Sequence, residues 1–265
     1  MQSASRESLL ALRDSLPTAN PESLASDLRA FAGLLTDEPA LRRALTDPAR
    51  APQAREDLAS QLLSGKIGSD ALSVAKSASK SRWSSALDLL TAVELLAVDA
   101  ELALADNTGV LGDVEDELFR FGRIVAANPQ LAGVLGASNA AIAPRAALVE
   151  SLLAGKAHAI TVRLATFALT GLGGRAFDAA LSRIVEEAAA RRDRKVAYVT
   201  SATPLSDAQI ERISRRLGQV YGRSISVRVD ADPSLIGGVT IRVGDDLYDG
   251  SVSRRLENAR TNLGA

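Results

Sequence analysis

The chain has 265 residues, of which 46% are hydrophobic and 24% are charged, and its 31 Lys and Arg nearly balance 32 Asp and Glu. Its apolar share is too high for a disordered chain, and a formal net charge of -1 argues against a nucleic-acid-binding protein that works through a broad basic field. The absence of cysteine excludes thiol catalysis, disulfides and cysteine-based metal centres. Much of the apolar content is Ala and Leu, which favours helices.

Residues 1–22 carry charges through a short apolar segment, so we expect no signal peptide at this end. The best candidates for a membrane span, residues 95–105 and 157–172, are both interrupted by charged residues, and we predict no transmembrane segment. The single histidine, His158, lies in the second of these stretches. Nothing in the sequence marks a partner for it, and a structural role is the simplest interpretation.

An internal repeat covers much of the chain. Residues 28–66 align without gaps on residues 118–156 at a shift of 90, and 12 of the 39 aligned pairs are identical. Composition alone would give roughly 3 or 4 identities in a chain so rich in Ala and Leu. We therefore predict a duplicated helical domain.

Each copy carries apolar residues at helical spacing, so each is predicted to be a helical bundle. The stripes are Leu24, Leu28, Phe31, Leu34 and Leu35 in the first copy and Val114, Leu118, Phe121, Ile124 and Val125 in the second. Pro39 and Pro129 are predicted to begin a short helix, where the missing N–H is tolerated. Gly65 and Gly155 are predicted to end the next helix in the left-handed conformation. Longer helical patterns follow at about 69–105 and 158–191, with breaks at 81–85 and 171–174.

The pattern changes after residue 195. Residues 196–200 are β-rich, and residues 224–229 alternate so that Ile225, Val227 and Val229 share one face of a strand. Between these strands, Ser206 and Gln209 have the spacing of a capping box at the start of a helix. The predicted apolar face of that helix consists of Ile210, Ile213, Leu217, Val220 and Tyr221.

Gly237 and Gly238 lead into a predicted β-hairpin, whose return strand is Leu247-Tyr248. A last helix is predicted from about Ser251, with Val252, Leu256, Ala259 and Leu263 inward. The predicted fold is therefore mainly α, with two tandem helical bundles followed by a small α+β domain. The predicted domains are residues 1–105, 106–192 and 193–265.

The sequence holds no recognisable catalytic, cofactor-binding or metal-binding motif. Gly65-Lys66 is followed by Ile67, so the phosphate-binding Gly-Lys-Ser/Thr sequence is absent. The acidic residues Asp230, Asp232, Asp245, Asp246 and Asp249 could hold a hard cation, but they are expected at turns, where Asp is favoured for local backbone bonds. We predict no catalytic residue, cofactor or metal.

The C-terminal part resembles the delta subunit of bacterial F-type ATP synthases, the OSCP family. The resemblance rests on Asp232-Pro233-Ser234-Leu235-Ile236-Gly237-Gly238 before the hairpin, and on Asp249-Gly250-Ser251 before a helix that contains Leu256. The paired glycines would allow positive φ where the chain enters the hairpin, and Asp249 or Ser251 could cap the final helix. These motif residues are predicted to be structural.

This resemblance implies a non-catalytic stator subunit in the peripheral stalk of a proton-translocating ATP synthase. In the family, the helical domain binds the N-terminal helices of alpha subunits on the alpha/beta catalytic head, and the C-terminal domain holds the C-terminal end of the membrane-anchored b subunit. The implied location is the cytoplasmic face of the cell membrane, as a peripheral part of the complex. Ordinary members are similar to about residues 95–265 only, and the duplicated form is similar to that of high-GC Gram-positive bacteria.

Two other interpretations are open at this point. The chain could be a tandem helical adaptor whose α+β module recognises RNA or a signalling partner, although its charge balance counts against RNA. An enzyme would need a general acid or base built from Asp, Glu, Arg or Tyr alone. The sequence does not say which helical copy contacts the alpha subunit or what the extra copy touches.

Overall fold

The computed structural model describes residues 1–137, 139–193, 196–221, 225–232, 235, 237–243 and 246–249. The chain divides into two compact units, Met1–Ala188 and Ala189–Ala265. The described residues confirm a mainly α fold with a small α+β region near the C-terminus. No helix in the described ranges combines the length and the apolar character needed to cross a membrane.

The first unit is helical throughout its described part. Its helices are α1 (Ser3–Asp14), α2 (Pro21–Asp37), α3 (Pro39–Thr46), α4 (Pro52–Leu63), α5 (Ser69–Lys80), α6 (Ala86–Asn107), α7 (Leu111–Ala127), α8 (Pro129–Gly136), α9 (Ile142–Leu153), α10 (Ala159–Phe167), a 3₁₀ helix (Ala168–Thr170) and α11 (Phe177–Asp193), whose last residues pass into the second unit. The breaks predicted at 81–85 and 171–174 separate α5 from α6 and the 3₁₀ helix from α11.

The sequence repeat is a structural repeat. Helices α2, α3, α4 and α5 begin 90 residues before α7, α8, α9 and α10, respectively. Pro39 and Pro129 stand at the first helical position, as predicted. Gly65 and Gly155 follow α4 and α9 with φ of 73° and 68°, which is the left-handed conformation predicted for them.

Helix α6 is shared by the two copies. It is apolar over most of its circumference and almost wholly buried, which is typical of a helix surrounded by others. It packs against α1, α2 and α3 of the first copy and against α10 of the second. The predicted boundary between residues 105 and 106 therefore falls in the last turn of a helix that serves both bundles. The two bundles as separate domains remain a prediction.

One position of each predicted apolar stripe was wrong. Leu34 and Ile124 are exposed, at 36% and 60%, while the other members of the two stripes are buried. At 100° per residue Ile124 lies about 90° from the centre of the stripe defined by Val114, Leu118, Phe121 and Val125, so it lies at the edge of the buried face.

The second unit holds β1 (Val196–Ser201), α12 (Asp207–Tyr221), β2 (Ser226–Ala231), β3 (Val239–Val243) and β4 (Asp246–Asp249). The sheet order is β2-β1-β3-β4; β1 and β2 are parallel, and the other pairs are antiparallel. Parallel neighbours need a crossover connection, and α12 supplies it. Ala197, Leu217, Ile225 and Val243 form the core of this unit.

Two predictions for the second unit were wrong in part. Val220 was predicted to face inward but is 68% exposed, because it lies at the edge of the apolar stripe in the last turn of α12. The acidic residues Asp230, Asp246 and Asp249 lie in strands rather than at turns, because the strands extend further than the alternation indicated. Asp245 and the predicted last helix lie outside the described residues.

Candidate interaction surfaces

Helices α7 and α11 pack closely enough to form two walls of a groove. The rings of Phe121 and Phe177 meet edge to face, with centroids 6.4 Å apart and an interplanar angle of 82°. Next to Phe121, Gly122 faces Leu181, which lies one turn beyond Phe177; a Cβ on this glycine would lie 3.5 Å from Leu181 Cδ2, at ordinary van der Waals contact. The two helices therefore meet at both positions.

The groove itself has a volume of about 710 Å³ and is bounded by α7, α8 and α11. Its floor includes the buried side chains of Leu118, Val125 and Leu181. On the α8 side it is bordered by Ala132 and Gly136, which contribute little or no side chain. The groove is therefore apolar and concave, as a site for a partner's side chains would be.

Phe119 lies at the edge of the groove and is 53% exposed. Ile124 on α7 and Val134 on α8 are also exposed, at 60% and 50%, but neither lines the groove. The sequence pattern did not separate these side chains from the core, because each lies one or two positions from a buried residue.

The buried charges of α6 tie the two copies together. Glu101 is 2% exposed and accepts hydrogen bonds from Arg163 of α10 at 2.9 Å and from Arg29 of α2. The hydrogen bond to Glu101 raises the pKa of Arg163 above its usual value, although burial opposes this. Sequence reasoning missed this cluster and treated the acidic residues of α6 only as interruptions in an apolar run. A carboxylate on an otherwise apolar helix is itself a signal for a buried cation.

A second group of charges joins α1, α6 and α11. Arg13 of α1 contacts Asp99 of α6 at 2.7 Å and Glu187 of α11 at 3.0 Å. Arg183 also contacts Glu187 at 2.6 Å. Helices from the start and the end of the first unit are thereby joined through charges that are mostly buried.

His158 has a structural position at the start of α10. Its backbone N–H donates to Glu117 Oε2 at 2.9 Å, and its Nδ1 lies 3.0 Å from Glu117 Oε1. Burial opposes ionisation of Glu117, but hydrogen bonds from Thr161 and His158 outweigh it and lower the pKa of this carboxyl. In the first copy, Asp27 accepts from the N–H of Gly68 in the same way, so this bond is part of the repeat.

In the second unit, the structure describes four of the family-motif residues. Gly237 and Gly238 have φ of 146° and 85°, so the predicted positive φ is present where the chain enters β3. The N–H of Asp232 donates to the carbonyl of Ser201 at 2.9 Å, and Asp249 is the last residue of β4. The remaining motif residues, Pro233, Ile236, Gly250, Ser251 and Leu256, lie outside the described residues.

Comparison with known families decides between the interpretations. The model of the family described as ATP synthase delta (OSCP) subunit matches residues 98–263, which include the second copy and the C-terminal unit. The chain belongs to the ATP synthase delta (OSCP) subunit family. The first copy lies almost wholly outside the matched part and is an addition to what the OSCP family model describes.

Relatives that share the first copy are found among actinobacterial delta subunits. The ATP synthase subunit delta of Salinispora arenicola (strain CNS-205) is 48% identical over 271 residues, which cover 99% of each chain. That of Salinispora tropica is 50% identical over 239 residues, covering 90% of this chain and 87% of the relative. That of Streptomyces avermitilis is 46% identical over 260 residues, covering 98% and 95%.

A solved structure of the mitochondrial ATP synthase hexamer of Toxoplasma gondii contains a chain that is 17% identical. The match covers 63% of this chain and 95% of that one, with a TM-score of 0.35. The assignment to the delta family depends on the sequence matches, since a structural likeness this weak adds nothing to them.

Proposed function

We propose that this chain is a non-catalytic stator subunit in the peripheral stalk of a proton-translocating ATP synthase. In this role it links the alpha/beta catalytic head to the membrane-anchored b subunit and resists rotation of the head. It lies at the cytoplasmic face of the membrane as a peripheral component. The observation that carries the proposal is the apolar groove between α7 and α11, in a chain of the delta family.

The helical unit is suited to hold a helix of the head. An amphipathic helix that lays its apolar face in a groove is a common mode of recognition, and an open apolar groove is what this mode requires. The N-terminal helices of the alpha subunits are the partners implied by the family resemblance. The ion pairs of α6 support the same role, because a stator must transmit load without internal movement.

The C-terminal unit is proposed to hold the C-terminal end of the b subunit. Strand β4 stands last in the sheet order, and its Leu247 and Tyr248 are exposed. Val220, at the end of α12, is exposed as well. Two attachment sites on one chain raise the effective concentration of each partner for the other, which helps a stalk stay attached under load.

The test is a binding experiment with the purified chain. We expect the chain to bind the assembled alpha/beta head, and this binding to be lost when the N-terminal segments of the alpha subunits are removed. A variant that ends at residue 193, after the last helix of the bundle, should keep head binding and lose b binding. Retained b binding in this variant would contradict the assignment of roles, and no binding of the full chain to a folded head would contradict the function.

A further inference from the structure

The two copies differ at the place where the groove lies. The groove is bounded by α7, α8 and α11, whose counterparts 90 residues earlier are α2, α3 and α6. Three of the lining positions on α7 and α8 carry smaller residues in the second copy. Gly122, Ala132 and Gly136 stand where the first copy has Ala32, Arg42 and Thr46. On the α11 side the difference is reversed at Leu181, which stands where the first copy has Thr91. The α7 and α8 walls are therefore lower in the second copy than the equivalent walls in the first.

Arg42 of the first copy bridges α3 and α2. Its Nη1 donates to the carbonyl of Leu35 at the end of α2, at 2.7 Å. Thr46 Oγ1 donates to the carbonyl of Arg42 at 2.9 Å. The second copy has only the methyl group of Ala132 at the equivalent position, so no side chain from this position can reach across to α7.

The two copies also differ at the edge of the groove, at the position of Phe119. In the first copy the position of Phe119 is taken by Arg29, whose side chain is drawn inward to Glu101. In the second copy Phe119 is exposed at the edge of the groove. In the first copy the residue at this position therefore takes part in an internal ion pair. In the second copy it is apolar and exposed to solvent.

The charges along the groove define the chemistry of its occupant. Asp178 and Glu186 are exposed on the α11 side, eight residues apart, which corresponds to about 12 Å along the helix. Arg123 is exposed on the α7 side. Arg183 lies 3.3 Å from Glu186 but is held more closely, at 2.6 Å, by the buried Glu187. The α11 edge therefore presents two carboxylates, one of them in contact with Arg183, and the opposite edge presents Arg123.

We propose that the second copy, and not the first, holds the head, and that it does so by binding one amphipathic helix in the groove between α7, α8 and α11. The bound helix carries Lys or Arg about two turns apart along the edge that faces Asp178 and Glu186. This inference rests on the proposed stator function. It adds which copy binds the head and which edge of the groove the basic residues of the bound helix face. The first copy then supports the second through α6 rather than binding a helix in the same way.

The test closes the groove with the first copy's own residues. The full-length variant Ala132→Arg with Gly136→Thr places side chains that the first copy already accommodates on the same helices. We expect it to bind the purified alpha/beta head at least about 10-fold more weakly than the wild-type chain, which corresponds to about 1.4 kcal/mol. Gly133→Arg is the matched control, because Gly133 lies on α8 outside the groove with open space around it. Its affinity should stay within about 2-fold of wild type, since it adds the same charged side chain one residue away, outside the groove.

A second full-length variant tests the charge pattern without adding bulk. Asp178→Asn with Glu186→Gln should weaken head binding several-fold at low salt and reduce its dependence on salt, since two exposed attractions are lost. Arg123→Gln should not weaken binding to the same degree, because it lies on the opposite edge. Circular dichroism and the thermal midpoint of each variant show that it is folded.

The outcomes separate the inference from the function on which it rests. If the wild-type chain does not bind the head, the proposed function fails. If the wild-type chain binds and the groove-closing variant, folded, binds equally well, the groove is not the site and the inference is overturned. If closing the groove abolishes binding but the acidic residues have no effect, the proposed charge of the occupant is wrong.

Discussion

The guanidinium of Arg163 holds the carboxylate of Glu101 in two places, with Nε 2.9 Å from Oε1 and Nη2 2.9 Å from Oε2. Arg29 of the first copy donates to the same carboxylate. A single buried acid of α6 thus joins an arginine from each copy. The two copies are therefore joined at this point through one carboxylate.

Replacing this acid should destabilise the helical unit. Glu101→Gln leaves two partly buried arginines without their counter-charge, and we expect the free energy of unfolding to fall by about 3 kcal/mol. Urea unfolding followed by the fluorescence of Trp83, the single tryptophan, measures this, because its indole lies in the helical unit and donates to the carbonyl of Ala78. Arg50→Gln, which breaks an exposed pair with Asp47, should change it by less than about 0.5 kcal/mol. Equal changes in the free energy of unfolding for the two variants would mean that the buried ion pairs of Glu101 stabilise the unit no more than an exposed pair does.

A buried carboxyl makes the stability of the helical unit depend on pH. Burial raises the pKa of Glu94 to about 7, although the N–H of Gly173 donates to it at 2.6 Å and Arg175 and Arg42 act in the opposite direction. Below about pH 4.5 this carboxyl is protonated in both the folded and the unfolded chain. As the pH rises from there to 7, the unfolded chain ionises first, so the folded state loses stability relative to it.

Glu94→Gln should remove this loss. The variant should become more stable relative to wild type as the pH rises from 4.5 to 8, by about 3 kcal/mol at 1.4 kcal/mol per pKa unit. Urea unfolding at several pH values measures the difference, with the exposed Glu7→Gln as control, which should follow wild type. A constant difference between Glu94→Gln and wild type over this range would show that Glu94 does not titrate in the folded chain.

The turn before α11 requires glycine. Gly171 has a φ of 88°, and a Cβ there would lie 2.7 Å from the carbonyl oxygen of Arg175. Gly171→Ala should therefore lower the free energy of unfolding by about 1–3 kcal/mol, through backbone strain and this clash. Gly133→Ala, within α8 and with open space around it, should instead raise the value by up to about 1 kcal/mol. The thermal midpoints of the two variants should move in opposite directions, and a shared direction would contradict this account.

The sequence predicted the repeat and most of its helices for physical reasons. Apolar spacing sets which helix face is buried, and residues such as Pro129 and Gly155 set where helices begin and end. The groove could not be predicted this way, because it depends on the sizes of side chains, such as those of Gly122, Ala132 and Gly136, at the place where three helices meet. Comparing the two copies position by position was the available signal, since the first copy has a larger residue at each of these places.

The buried ion pairs escaped prediction for a different reason. Glu101 lies 62 residues from Arg163 and 72 from Arg29 in the chain, and no local pattern relates them. In the second unit, the alternation of apolar and polar residues predicted strands, and the capping box at Ser206 and Gln209 predicted the start of α12. The N–H of Ser206 does donate to Gln209 Oε1 at 2.8 Å. Val220 is exposed because α12 ends one residue later, and the apolar pattern did not predict where this helix ends.

The most direct test of the stator account is whether this chain connects the two partners. The C-terminal segment of the b subunit is immobilised, and retention of the alpha/beta head is measured with and without the full-length chain. The account predicts that the head is retained only when the chain is present, in one-to-one proportion with it. Retention of the head without the chain, or binding of the chain to b that never brings the head with it, would contradict the account.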